Sequence, residues 1–198
     1  ATSWGISTRL IGAVILAHGD KKGLRLPPNI APIQVVIVPI SRDNEQKNLV
    51  KDYIDFIVNE LIDIKVRYIV DWSEASPGYK FNDWEMKGVP IRVEVGLRDM
   101  EDDIIIYSRR DQDSKIKLSI SDSASSLQTA LEDIQNSLFN QAKQFQNDNT
   151  HIAVNYSNFK SIINDGGFAI CGWDGTRKTE EAIKKETKAT IRCIPFDQ

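Results

Sequence analysis

Cysteine and histidine are scarce in this 198-residue chain, and each shortage narrows the chemistry open to it. Cys171 and Cys193 lie far apart with no Cys-x-x-Cys pair, which leaves neither a disulfide framework nor a complete zinc site. With only His18 and His151, a His-dependent nucleophilic triad is not expected. No apolar run approaches the roughly 20 residues that span a bilayer, and no charged start with a small-residue cleavage site opens the chain. A soluble, cytoplasmic protein is therefore expected, with no membrane partner. The chain also lacks an initiating Met, and Trp4-Gly5 reads as the interior of a strand, so the sequence is expected to be part of something larger.

An excess of positive charge is missing too. Lys and Arg number 25 against 28 Asp and Glu, a formal net charge of −3. Such a balance gives no global attraction to DNA, RNA or an anionic membrane, so any RNA contact must be local. What is present is a globular composition, 41% hydrophobic and 27% charged, and a length suited to one full domain with appendages.

Residues 2–6 are predicted as a short strand running into a helix capped by Ser7, with Leu10, Ile11, Val14 and Ile15 at helical spacing and His18-Gly19 at its end. Gly23, Pro27, Pro28 and Pro32 mark a linker, and a domain boundary is placed near residue 30. The β-branched run 33–40 reads as a doubly buried strand, Asp43 and Gln46 as a capping box, and Val50 through Ile62 as an amphipathic helix. With a strand at 65–71 this makes a parallel β–α–β unit joined by a right-handed crossover. A short helix at 78–88, strands at 89–96 and 103–109 around an acidic turn, and an edge strand near 114–120 follow. The longest amphipathic helix runs from Ser123 or Ser125 to about residue 147, with Leu127, Leu131, Ile134, Leu138, Ala142 and Phe145 on its apolar face. Beyond it come a helix at 155–165, a strand and loop at 166–175, a helix at 179–189 and a final strand from residue 190, in which Cys193 is expected to be a buried apolar residue.

Arg9 in a first helical turn, beside backbone N–H groups expected to be free, is suited to phosphate oxygens, although spacing alone gives a solvated helix-start arginine equal standing. Glu85, Arg92, Glu94, Arg98 and Asp99 mix acids and bases on and after the strand at 89–96. A carboxylate can accept from guanine N1–H and N2–H₂ while Arg or Lys donates to O6 and N7. Phe81 is a candidate stacking platform, whereas Trp84 and Tyr79 read as packing residues. Residues 80–117 hold eight Lys or Arg and nine Asp or Glu, so surface ion pairs compete with every one of these assignments.

The strings "WGISTRLIGA", His18-Gly19-Asp20 and "GLRLPP" resemble motif 3 of class II prolyl-tRNA synthetases. "PGYKFNDWEMKGVPIRVEVGLRD" (77–99) is similar to that family's anticodon-binding motif, and "KATIRCIPF" (188–196) to its C-terminal domain in the archaeal or eukaryotic architecture. The resemblance covers essentially the whole chain in the family's order. It implies an α/β fold: the end of a class II catalytic domain (1–30), a class IIa anticodon-binding domain with a mixed five-stranded sheet flanked by helices (31–148), and an incomplete C-terminal α+β domain (149–198). It further implies a proline-tRNA ligase as parent, normally a homodimer using L-proline and ATP with Mg²⁺. Arg9 would grip the triphosphate as the catalytic arginine, with Trp4, Gly5, Ser7 and Thr8 around ATP and proline. The two guanines that end proline anticodons would be read by Glu85, Arg92, Arg98 and Asp99, assisted by Lys115 or Arg110, with Phe81 stacking and tRNA-Pro as partner. Many relatives hold zinc with four cysteines; here Thr179 stands where the second would align, so no structural zinc is expected. The upstream motifs that complete the ATP site are absent from this sequence, and catalysis by it alone is not expected. A non-catalytic synthetase-like RNA-binding module is the second reading. A small doubly wound nucleotide-binding enzyme is the third, weakened by the lack of a P-loop or GxGxxG after the 33–40 strand.

Overall fold

The computed structural model describes residues 2–41 and 44–194, and the chain divides into two compact units, Ala1–Ala142 and Lys143–Gln198. The first is built on a five-stranded mixed sheet. β1 (Val35–Ile40) pairs in parallel with β2 (Tyr68–Val70) on one side and β3 (Ile91–Gly96) on the other, and β4 (Ile104–Arg109) and β5 (Lys115–Ser119) continue antiparallel, giving the order β2-β1-β3-β4-β5. The expected mixed five-stranded α/β fold is thus present, with the β–α–β pair parallel as the sequence requires.

The two faces of the sheet differ. Alternation sends Val35, Ile37, Ile91, Val93, Val95, Ile105 and Tyr107 to one side. There they meet Val50, Ile54, Ile57 and Leu61 of α2 (Asn44–Asp63) and Leu127, Leu131, Ile134 and Leu138 of α5 (Ser123–Asp148). Most of these side chains are fully buried, at about 1.5–3 kcal/mol each relative to exposure. On the other face Val36 and Val38 pack with Val89, Phe81 and Trp84, so only the β1 side is roofed, by α3 (Pro77–Met86). Proline at its first position and the Ser76 side chain accepting from Tyr79 N–H start that helix. Buried Lys80 donates to the Asp71 carbonyl at 2.8 Å, and the Trp84 indole N–H reaches the Asp71 carboxylate at 2.7 Å, anchoring α3 to the end of β2.

Several expectations are corrected. Residues 2–6 form no strand: none of the described strands pairs with them, and Trp4 and Ile6 are exposed. α1 (Arg9–His18) starts after Thr8 rather than Ser7, and its first turn winds tightly, the N–H groups of Leu10 and Ile11 donating to the carbonyls of Ser7 and Thr8 instead of standing free. The acidic turn after β3 is a five-residue helix, α4 (Leu97–Glu101), begun by Gly96 N–H donating to the Asp99 carboxylate at 2.8 Å. Phe145, expected on the apolar face of the 26-residue α5, is exposed. Tyr79 is exposed and no core residue. The capping box assigned to Asp43 and Gln46 falls, at Asp43, outside the described residues.

The linker after α1 is held by backbone hydrogen bonds at several points. Leu24 N–H donates to Met86 carbonyl and Leu26 N–H to Gly88 carbonyl, forming a seam with the end of α3. Gly23 (φ 132°) and Gly88 (φ 76°) line it, where a Cβ would lie 2.5 Å from Met86 O and 2.6 Å from the Leu24 backbone respectively. Arg67 closes the far end, donating to the carbonyls of Ala31 and Pro28 at 2.8 Å.

In the second unit, β6 (Thr150–Ile152), which the sequence did not suggest, pairs in parallel with β7 (Phe168–Ile170), joined through α6 (Tyr156–Asp165). α7 (Arg177–Thr187) is capped by Thr176 and begins two residues earlier than expected. Residues 190–194 carry no strand, and without a pairing partner to cover it Cys193 is exposed rather than buried.

Candidate nucleic-acid interface

Beyond the edge of α3 the second face of the sheet turns polar. The pairing register sets Arg92, Ser108 and Lys115 in one row across β3, β4 and β5, and Glu94, Ile106 and Lys117 in the next. Glu94 is 4% exposed and accepts from Arg92 Nη2 at 3.1 Å and from Lys115 Nζ at 2.6 Å. The Arg92 guanidinium lies 4.3 Å from the centre of the Phe81 ring and the Lys115 ammonium 5.3 Å from it, so the π-face offered for stacking is shared with two cations. Glu85, on the last turn of α3, lines the same shallow pocket with Arg92, Ser108 and Lys115.

Two residues that sequence reasoning missed stand beside Glu85. Lys22, from the linker, bonds the Glu85 carboxylate at 3.2 Å and Asp113 at 2.5 Å. These partners raise the Lys22 pKa, the Asp113 hydrogen bond most, and Asp113 is lowered by the same bond. No motif marks either residue; only the three-dimensional seam brings the linker to α3. Lys22, Arg92 and Lys115 against Glu85, Glu94 and Asp113 make a cluster whose charges balance.

Of the residues assigned to base reading, Phe81, Glu85, Arg92 and Lys115 come together here. Arg98 is exposed on α4 and bonds none of the described side chains, whereas the Asp99 carboxylate is held by Gly96 N–H. Arg110 is not available as an assistant: it is buried, its Nε donating to the Glu85 carbonyl and its two terminal nitrogens to the Asp20 carboxylate at 2.8 and 2.6 Å. That clamp holds the Asp20 pKa far below the usual carboxylate range, the Arg110 hydrogen bonds outweighing burial. Asp71 behaves similarly: burial pushes its pKa up, but hydrogen bonds from Ser73 and Trp84 and the Lys80 charge overcome it.

Trp4, Gly5, Ser7, Thr8 and Arg9 lie on the exposed segment entering α1, Arg9 at its first position with no acidic residue in that turn. His18 ends the helix, its pKa lowered by burial and then by the Arg25 charge. Among the described residues, no three His, Cys, Asp or Glu side chains are placed to hold a metal ion, and no helix is long and apolar enough to cross a membrane.

Residues 34–130, which contain this surface, match the family model described as an anticodon binding domain, and residues 156–198 match that of the prolyl-tRNA synthetase C-terminal region. The chain is 46% identical over its full length to a proline-tRNA ligase of Azobacteroides pseudotrichonymphae and 46% to that of Phocaeicola vulgatus. It is 44% identical to the proline-tRNA ligase of Salinibacter ruber. It spans about two fifths of the length of these relatives, 40% of the first two and 41% of the third. An anticodon-binding sheet followed by the C-terminal region, in one chain and in this order, places the protein in the prolyl-tRNA synthetase family.

Proposed function

We propose that this chain is the anticodon-reading portion of a proline-tRNA ligase, which activates L-proline with ATP and transfers it to tRNA-Pro in protein synthesis. The observation that carries the reading is the polar half-face beside α3, where a carboxylate (Glu85) and two cations (Arg92, Lys115) line one pocket and the two cations also lie over the Phe81 ring. Acceptor and donors within one pocket suit the two edges of guanine, N1–H and N2–H₂ on one side and O6 and N7 on the other. Arg98, exposed on α4, adds a contact to a base or phosphate. Asp99 contributes a carboxylate only through the oxygen not held by Gly96.

In this reading residues 1–30 end the catalytic domain, 31–148 form the anticodon-binding domain and 149–198 begin the C-terminal domain of a cytoplasmic homodimer. Arg9, exposed and free of acidic neighbours in its turn, fits the phosphate oxygens of ATP, and Trp4, Gly5, Ser7 and Thr8 would lie around ATP and proline. ATP with Mg²⁺ supplies the electrophilic phosphate that the proline carboxylate attacks. Arg9 holds phosphate charge in place. The alternative, a non-catalytic RNA-binding module, would use the same surface, but it has no use for Arg9, and similarity to the ligases extends through residues 1–30.

The test is binding of the 198-residue chain to a tRNA-Pro anticodon stem-loop and to the same loop with its two guanines replaced by adenines. A preference of at least about tenfold for the guanines is expected. Equal affinities would overturn the reading.

A further inference from the structure

Glu94 is the deepest charge of the polar half-face, and its surroundings assign it a task distinct from that of its neighbours. Its side chain is 5% exposed, so its carboxylate has exchanged water almost entirely for protein. A buried carboxylate is tolerated only when paired, and Glu94 is paired twice: Oε1 with Arg92 Nε and Nη2 at 3.4 and 3.1 Å, and Oε2 with Lys115 Nζ at 2.6 Å. The strand period puts Arg92 and Glu94 on one face two residues apart, and the β3–β4–β5 register brings Lys115 to the row of Arg92. The two cations would repel each other without the carboxylate between them. With it, the guanidinium lies over Phe81 and also meets the Phe81 carbonyl and the Ser108 hydroxyl, while the Lys115 side chain stays 55% exposed.

We propose that Glu94 is a positioning residue for base reading: it holds Arg92 and Lys115 side by side over Phe81 and so fixes where their remaining N–H donors meet a nucleobase. The proposal rests on the reading of this surface as the anticodon-binding site. Glu94 itself has little exposed surface to offer a base. Its charge sets the geometry of the two groups that do, and it cancels one positive charge that would otherwise attract any phosphate.

The experiment compares the 198-residue chain with its Glu94→Gln and Glu94→Asp variants, binding the guanine-bearing and adenine-substituted stem-loops over a salt series, with circular dichroism on each protein. Glu94→Gln keeps the size and one acceptor but releases Lys115. The guanine-to-adenine affinity ratio is expected to fall about tenfold, while affinity for the adenine loop holds or rises and its salt slope steepens by about one phosphate contact. A purely structural Glu94 would lower both affinities together and leave the ratio intact, which would overturn the proposal. Should Glu94→Gln not fold, Glu94→Asp keeps the charge and shortens the reach: a reduced ratio supports positioning and an unchanged one refutes it. A wild-type chain without guanine preference would bring down the anticodon reading and this proposal together, whereas preference kept in both variants would remove only the role of Glu94.

Discussion

The carboxylate of Asp20 accepts two hydrogen bonds from the guanidinium of Arg110, at 2.8 and 2.6 Å, across ninety residues of chain. Arg110 is buried and also donates to the carbonyl of Glu85, so one side chain ties the linker after α1 to the end of α3. Because pairing lowers the folded-state pKa of Asp20 below its unfolded value, its stabilisation is complete above the ordinary carboxylate range near 4 and is lost as pH falls below it. Asp20→Asn is expected to destabilise the protein by about 2 kcal/mol at pH 7, less than for a fully buried pair because Asp20 is one-third exposed. Urea midpoints at pH 7 and pH 3 check this: the gap between wild type and variant should narrow at the lower pH.

Asp71 fastens α3. Its Oδ2 accepts from the Trp84 indole, its Oδ1 from the Ser73 N–H and hydroxyl, and Lys80 Nζ stands 3.7 Å away, almost fully buried. Asp71→Ala leaves a buried ammonium without its counter-charge and an indole N–H without an acceptor, at an expected cost of about 3–5 kcal/mol. Thermal unfolding followed by tryptophan fluorescence should show the loss. A midpoint within a degree of wild type would contradict it.

Arg98 and Asp99 are neighbours with different prospects. Arg98→Ala should leave stability within about 0.5 kcal/mol, because nothing described bonds its side chain, yet weaken RNA binding and flatten its salt dependence by about one phosphate contact. Asp99→Ala should cost about 1 kcal/mol through loss of the Gly96 cap. Denaturation and binding curves on the same two variants separate these effects.

Arg9→Lys in the intact parent enzyme is expected to lower proline-dependent ATP–pyrophosphate exchange by about 100-fold, since a point ammonium cannot reproduce two parallel hydrogen bonds to phosphate. Rates close to wild type would make Arg9 an ordinary helix-start residue.

What the sequence discloses and what it withholds divide along physical lines. β1, α2 and most of α5 are legible because burial on one stripe or both faces leaves an apolar period, as at Val50, Ile54, Ile57 and Leu61. α3 is legible as a short helix, but the Ser76 cap and Pro77 that start it one residue before the expected 78 are read only from the structure. α4 is not, since five residues are too few to establish a period, and neither is β6, three residues long with two of them exposed. Residues 2–6 read as a strand from Trp4-Gly5 and the run into α1, but a strand exists only where another chain segment supplies hydrogen bonds, and none of the described strands does. Within the candidate site, Phe81, Glu85 and Arg92 could be named in advance from the 77–99 motif, and Lys115, beyond it, from the family resemblance with Arg110 as its alternative. The engagement of Arg110 with Asp20 could not, because nothing local distinguishes a guanidinium bound to a distant aspartate from one facing solvent. Lys22 was hidden for the same reason, lying in a segment whose glycines and prolines announce only a connection.

The balanced cluster of Lys22, Arg92, Lys115, Glu85, Glu94 and Asp113 has a kinetic consequence. Long-range steering needs an excess of one sign, and neither these six side chains nor the chain as a whole, at −3, carries an excess of positive charge. Encounters should therefore proceed at the unsteered rate of about 10⁵–10⁶ M⁻¹s⁻¹ and change little with ionic strength. Cognate and non-cognate loops would arrive equally often, and selection would be made afterwards, by how long each one stays.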